Sequence, residues 1–216
     1  MYCSSAFSIF DWETVFVNEE TGADNKVVAS NQNTMDQATF RNTSGYGMYI
    51  YYTTNVSITK NNIYAPTYPI LLGYTNYLTF TSGTAKVENN FFNSGNSYGC
   101  YFVVPNNLKL YHNSVNGGSY GMYLTGTSDN VDIRNNIFVS TANYAAYIAT
   151  TPTNFTLDYN IYNTGGANIA YQGAAYTTLT AWKTAQTTLN INSLQGDPIF
   201  LSPTDFHILG SLPNNV

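Results

Sequence analysis

The chain has 216 residues, a net charge of −5 and only 9% charged residues, against about a quarter in an average soluble domain. That length suits one domain with a sizeable core. The acidic balance excludes a nucleic-acid partner and docking on an anionic membrane surface, both of which need clustered Lys and Arg. Membrane insertion is excluded too, since no apolar run approaches the about 20 residues of a span.

In chain order, the first stretch, "MYCSSAFSIFDW", lacks the basic start and long apolar core of a signal peptide. Either the chain is cytosolic, or a leader has been removed. Cys3 and Cys100 show no metal-ligand spacing, so they are expected as unpaired thiols, with Cys100 in a core. No metal and no cofactor are implied. Residues 1–44 fit the pattern that follows poorly. Within them "VVASNQNTM" reads either as a degenerate coil, with Val28, Ser30, Asn33 and Met35 in its key positions, or as part of an irregular N-terminal cover.

From residue 45 the chain repeats. One phrase reads Val56-x-Ile58-x-x-Asn61-x-Ile63, then Ala85-x-Val87-x-x-Asn90-x-Phe92, then Leu108-x-Leu110-x-x-Asn113-x-Val115. It returns as Val131-x-Ile133-x-x-Asn136-x-Phe138 and Phe155-x-Leu157-x-x-Asn160-x-Tyr162. Successive Asn residues are 29, 23, 23 and 24 apart, a period of about 23 with one insertion. A second phrase keeps the same register: Tyr46-Gly47-Met48-Tyr49-Ile50, Tyr68-Pro69-Ile70-Leu71-Leu72, Tyr98-Gly99-Cys100-Tyr101-Phe102, Tyr120-Gly121-Met122-Tyr123-Leu124 and Tyr144-Ala145-Ala146-Tyr147-Ile148.

Apolar and polar residues alternate inside each unit, which is strand periodicity. The strands are short and bounded by Gly, Asn, Ser and Thr. Short strands on a fixed period predict a solenoid of about six coils, each stacked on the last at the about 4.8 Å strand spacing. The Asn column is expected at a shared turn. Asn tolerates the left-handed conformation there, and stacked amides bond to one another along the axis.

These phrases resemble the right-handed parallel β-helix family with the pectin-lyase-like fold. The resemblance covers about residues 45–200, carried by "VDIRNNIF", "LKLYHNSV" and the tail "LDYNIYN", "YTTLTAW", "GDPIFL" and "DFHILGS". It implies an all-β, single-stranded, right-handed parallel β-helix. The expected organisation is a cap or degenerate coil at 1–44, β-helix coils at 45–164, and a final coil with a capping segment at 165–216. In the last part Thr178 is expected to cap a short helix carrying Leu179 and Trp182, which covers the open end of the last coil.

Two surfaces are candidates for function. On the first, Lys109 is placed beside Asp132 of the next coil and Arg134 beside Asp158, which predicts two surface ion pairs. Asp132 and Asp158 stand on a diagonal of about 7–8 Å, inside the about 6.5–9.5 Å separation of inverting glycosidases. If the protein is a hydrolase, Asp132 and Asp158 are its expected acid and base, with Arg134 keeping Asp158 ionised. The resemblance would supply a polysaccharide lyase or glycoside hydrolase of this kind. However, the paired-Asp and Gly-His-Gly pattern of polygalacturonases and the Arg-x-Pro-x-x-Arg of pectate lyases are both missing. His112 is expected as an exposed turn residue and His207 as pointing outward from a terminal strand.

On the second surface Tyr49, Tyr101, Tyr123 and Tyr147 face out between core residues. They form either a stabilising aromatic ladder or a strip that offers flat ring faces to sugars. The leading expectation is an extracellular or cell-surface module, part of a longer parent chain, that binds a polysaccharide or cell-surface glycan or serves as scaffold.

Overall fold

The computed structural model describes residues 26–28, 33–37, 39–41, 45–51, 55–73, 84–202 and 205–209. Cys3, Ser30 and the chain's two ends lie outside them. Three sheets of parallel strands run along one axis, and successive strands go to the three sheets in turn. The second sheet has six strands, from Asn33–Asp36 to Thr153–Asp158, which mark about five full turns. This is the expected β-solenoid, with about five turns where the sequence predicted about six coils, and with one short helix among the described residues.

The core is a set of axial columns. Ile58, Val87, Leu110, Ile133 and Leu157 are register partners and all buried. Facing them are Ile50, Leu72, Phe102, Leu124 and Ile148, also in register and buried. Alternation along each short strand sends every second side chain inward, so each coil contributes a thin slice of one continuous core. Cys100 sits in that core as a free thiol, and burial raises its pKa well above the usual range.

The five Asn residues form one axial column, as the spacing predicts. Each amide nitrogen donates to the Oδ1 of the next: Asn61 to Asn90, Asn90 to Asn113 and Asn113 to Asn136 at 2.9 Å, and Asn136 to Asn160 at 3.1 Å. The backbone N–H of each donates to the same acceptor, as in Asn113 to Asn136 at 2.9 Å. The reason given by the sequence needs correction. The ladder residues are buried inside the turn, and the left-handed conformation falls on the residue before each one. Lys60, Asn89, His112, Asn135 and Tyr159 all have φ between 55° and 57°. His112 is therefore an exposed turn residue, as expected, and its backbone carries the bend.

The described residues before 45 join the solenoid. Lys26–Val28, Asn33–Asp36 and Thr39–Arg41 pair with Tyr46–Tyr51, Val56–Thr59 and Asn62–Tyr64 respectively. Of the two expected readings, the degenerate coil is the one formed, but its register is displaced. Met35 partners Ile58 and Asn33 partners Val56, so Asn33 is not the ladder residue of this coil.

At the other end the helix Leu179–Ala185 forms as predicted. Thr178 Oγ1 accepts from the Ala181 N–H at 3.1 Å, and Leu179 and Trp182 are the helix's buried residues. Trp182 closes the last coil and donates from Nε1 to Gln172 Oε1 at 2.8 Å. The ladder ends on Ser193, whose Oγ accepts from the Asn160 N–H at 3.0 Å.

Candidate functional site

The outer face of the first sheet carries two parallel columns of tyrosine. One is the expected column, with Leu71 in place of a Tyr at its second level and extended by one member: Tyr49, Tyr101, Tyr123, Tyr147 and Tyr171. The other is Tyr46, Tyr68, Tyr98, Tyr120 and Tyr144. Strict alternation would put residues three apart on opposite faces, which hides the second column from a strand pattern. The residue after each second-column tyrosine is Gly47, Gly99 or Gly121 on three coils and Pro69 or Ala145 on the other two. A Cβ on Gly99 would stand 2.3 Å from Val115 Cγ1 and 2.6 Å from the Gly121 carbonyl. The backbone is thus packed closely against its neighbours there, and both Tyr98 and Tyr101 remain half-buried on the outside. Tyr171 was legible only as one more period beyond Tyr147.

Within the second column the rings lie nearly parallel, with centroids 4.9 Å apart for Tyr46 and Tyr68, 5.0 Å for Tyr68 and Tyr98, and 4.9 Å for Tyr98 and Tyr120. Tyr123, Tyr147 and Tyr171 stack likewise, at 4.6 and 4.5 Å. The two columns meet edge to face at Tyr120 and Tyr123, at 5.2 Å and 88°, whereas Tyr101 stacks on Tyr98 at 5.1 Å and 22° and stands edge-on to Tyr123 at 5.0 Å and 78°. Within each stack a ring covers the face of the next.

Burial, and then the neighbouring phenols, push the hydroxyl pKa of Tyr68 and Tyr123 up from 10.0 to about 12, with Tyr98, Tyr101, Tyr120 and Tyr147 raised for the same first cause. A folded pKa above the unfolded one means that the fold favours the protonated phenol. The contribution to stability is full below pH 10 and disappears as pH rises through about 12. Tyr68 and Tyr123 should therefore stay protonated at pH 10 and ionise only together with loss of the β-sheet circular dichroism between pH 10 and 12. Ionisation of Tyr68 and Tyr123 near pH 10, with the fold intact, would contradict this.

The second sheet's outer face holds the expected charges in the expected register, with Lys109 opposite Asp132 and Arg134 opposite Asp158. The ion pairs run differently. Arg134 reaches Asp132 on its own strand, Nε to Oδ1 at 2.6 Å and Nη2 to Oδ2 at 2.8 Å. Lys86 likewise pairs with Glu88 at 2.8 Å. Side chains two apart on one strand share a face, and a planar guanidinium grips a carboxylate by two parallel bonds. Asp132 also accepts from the Tyr111 hydroxyl at 2.6 Å, and this bond adds to burial in raising the Tyr111 pKa. Asp158 is bound to the C-terminal segment: it accepts from the backbone N–H groups of Tyr159 at 2.8 Å and Asn192 at 2.6 Å, and from Asn192 Nδ2 at 2.8 Å. All four carboxylate oxygens of the proposed pair are thus engaged by this chain's own donors.

His207 points outward from the terminal strand Asp205–Ile208, as expected, with Nδ1 2.5 Å from Asp205 Oδ1 and its ring edge-on to Phe91. Among the described residues no group of three or more His, Cys, Asp or Glu could hold a metal ion, and no helix is long and apolar enough to cross a membrane.

A second asparagine column lies at the corner that enters the second sheet. Asn107, Asn130 and Asn154 have φ of 53°, 54° and 47°, and Asn130 Nδ2 donates to Asn107 Oδ1 at 2.7 Å. Here the left-handed tolerance of Asn is used. The sequence signal was Asn directly before the leading apolar residue of the repeat.

A family model described as the right-handed β-helix region matches residues 21–181. No curated protein and no solved structure matches the chain.

Proposed function

We propose that this chain, which belongs to the right-handed β-helix family, is a binding or scaffold module of the cell exterior that holds a neutral polysaccharide or cell-surface glycan along its tyrosine wall. The observation that carries this reading is the pair of outward tyrosine columns, one of them interrupted only by Leu71, repeated from coil to coil at one strand spacing. A linear polymer laid along the axis meets tyrosine rings at each successive coil. Protonated phenols are both donors and acceptors, which suits neutral hydroxyl-rich chains and not polyanions. The low charge of the whole chain agrees with that preference. Further domains of a longer parent chain would place the module at the cell surface.

The alternative, a polysaccharide lyase or glycoside hydrolase using Asp132, Asp158 and Arg134, has less behind it. Each carboxylate would first have to be released from its internal partners. A β-helix hosts many functions, so the fold by itself favours neither reading.

The test replaces Tyr101, Tyr123 and Tyr147 together by Phe, which keeps the rings and removes the hydroxyls. Glycan retention on immobilised neutral polysaccharides is expected to be lost while the melting temperature stays near wild type. Replacing Tyr101 and Tyr123 by Ser should lose retention and stacking together. If no neutral glycan retains the wild type, or if the Phe variant is retained equally, the binding reading is wrong and the tyrosines are structural.

A further inference from the structure

We propose that the tyrosine wall is a site of oxidative coupling, at which a one-electron oxidant of the peroxide and peroxidase class joins Tyr147 to the tyrosine of an adjacent coil as dityrosine. The inference stands on stacking geometry and does not depend on glycan binding. Tyr147 lies between Tyr123, with centroids 4.6 Å apart and rings 8° from parallel, and Tyr171, at 4.5 Å and 10°. These are the two shortest ring separations in the wall. In each pair the near-parallel rings belong to register partners on adjacent strands, so a small movement of either ring can bring the ortho carbons of the two phenols together.

A second observation concerns what else an oxidant could reach. Among the Met, Cys and Trp side chains that the structure describes, Met48, Met122, Cys100 and Trp182 are each no more than 1% exposed. Reactive sulfur must be accessible and, for cysteine, ionised; burial denies Cys100 both. Among the described residues the accessible oxidisable groups are therefore mainly phenols. Edge-to-face contacts of Tyr120 with Tyr123 and Tyr147, at 5.2 and 5.6 Å, connect the two columns. A radical formed on either column can reach the closest pair through rings in contact.

The chemistry balances as follows. Each of the two phenols gives up one electron and one proton and becomes a phenoxyl radical. The radicals combine through their ortho carbons, and the two hydrogens on those carbons shift to the oxygens as aromaticity returns. The two electrons and two protons released reduce one hydrogen peroxide to two waters, with cleavage of its O–O bond. The product is a covalent staple between successive coils, which otherwise hold together by hydrogen bonds and packing alone. In a solenoid, where each coil touches only its neighbours, such a staple opposes fraying locally.

The experiment treats the folded chain at low concentration with a haem peroxidase and hydrogen peroxide. It then reads dityrosine fluorescence, the mass of the intact chain and the linked peptides. The expected result is a monomer lighter by two hydrogens for each link, with Tyr147 joined to Tyr123 or Tyr171. The Tyr147→Phe variant, which keeps the stack, should lose both linked peptides. Should that variant fold poorly, the wild-type peptide map alone decides. Tyr159 is an internal comparison, since it is 53% exposed and belongs to neither column. Coupling centred on Tyr159, links only between separate chains, or an unmodified Tyr147 would each overturn the proposal.

Discussion

Replacing Asn136 by alanine is expected to lower the stability of the solenoid by about 3 kcal/mol or more, because several buried groups lose their partners at once. Its Oδ1 accepts from both the backbone N–H and the side-chain amide of Asn113, each at 2.9 Å. Its Nδ2 donates to Asn160 Oδ1 at 3.1 Å and to the Leu110 carbonyl at 2.8 Å. All of this lies inside the turn, where Asn113, Asn136 and Asn160 are at most 1% exposed. A buried donor or acceptor left unsatisfied costs about 1–3 kcal/mol. For a chain of this size the loss corresponds to a fall in melting temperature of about 6–12 °C. Asn136→Asp separates the roles of the two amide atoms. It keeps the acceptor but sets a second oxygen against the Leu110 carbonyl and Asn160 Oδ1, so at neutral pH it should melt lower still. An Asn136→Ala chain that melts with the wild type would mean that the ladder is a by-product of coil stacking and not a support for it.

The ladder also shows which features were legible in the sequence. A column with one chemical demand at every level leaves one residue type at a fixed period, and both Asn61 to Asn160 and the core columns were readable for that reason. The left-handed residue beside the ladder was not. Lys60, Asn89, His112, Asn135 and Tyr159 share a backbone conformation and no side-chain property, since the amides of the ladder hold the bend whatever stands before them. Register was lost at the coil formed by residues 26–41 because matching Asn33 to the ladder looked natural, whereas Asn33 instead partners Val56. The ion pairs were misassigned because strand register says which residues are opposite and not where a long side chain folds. Arg134 reaches two residues along its own strand to Asp132 more readily than across to Asp158, whose oxygens are engaged by Tyr159 and Asn192. Half of the tyrosine wall was hidden for a further reason. Two adjacent buried residues stand between Tyr98 and Tyr101 on one strand, so the two-residue alternation on which a strand pattern depends does not hold there.

The second large effect is expected at the closed end. Trp182 is fully buried on the last coil, where its ring meets Tyr162 edge to face at 5.4 Å and lies parallel to Tyr176 at 6.4 Å. Trp182→Ala should cost about 3–5 kcal/mol, the range for removing a large aromatic from a core, and it also leaves Gln172 Oε1 without its donor. Gln172 continues the column Ile50, Leu72, Phe102, Leu124 and Ile148. The final level of the core is thus polar, and the indole N–H is what makes a buried amide tolerable there. Trp182→Phe tests that point, since it keeps most of the apolar contact and removes the N–H, for an expected loss of about 1–3 kcal/mol. Because coils touch only their neighbours, the damage in both variants should begin locally. Amide exchange should accelerate first in Ile161–Thr164 and Ala170–Gln172, and only later in Leu108–Tyr111 near the middle. The opened edge presents unpaired strand groups, so the alanine variant should also associate at concentrations where the wild type stays monodisperse. If exchange in the last coil is unchanged in Trp182→Ala, or accelerates evenly along the whole chain, the helix is not acting as the end cover. In that case the C-terminal hairpin Phe200–Ser202 and Asp205–Ile208, packed through Phe206 on Phe91, becomes the element to test in its place.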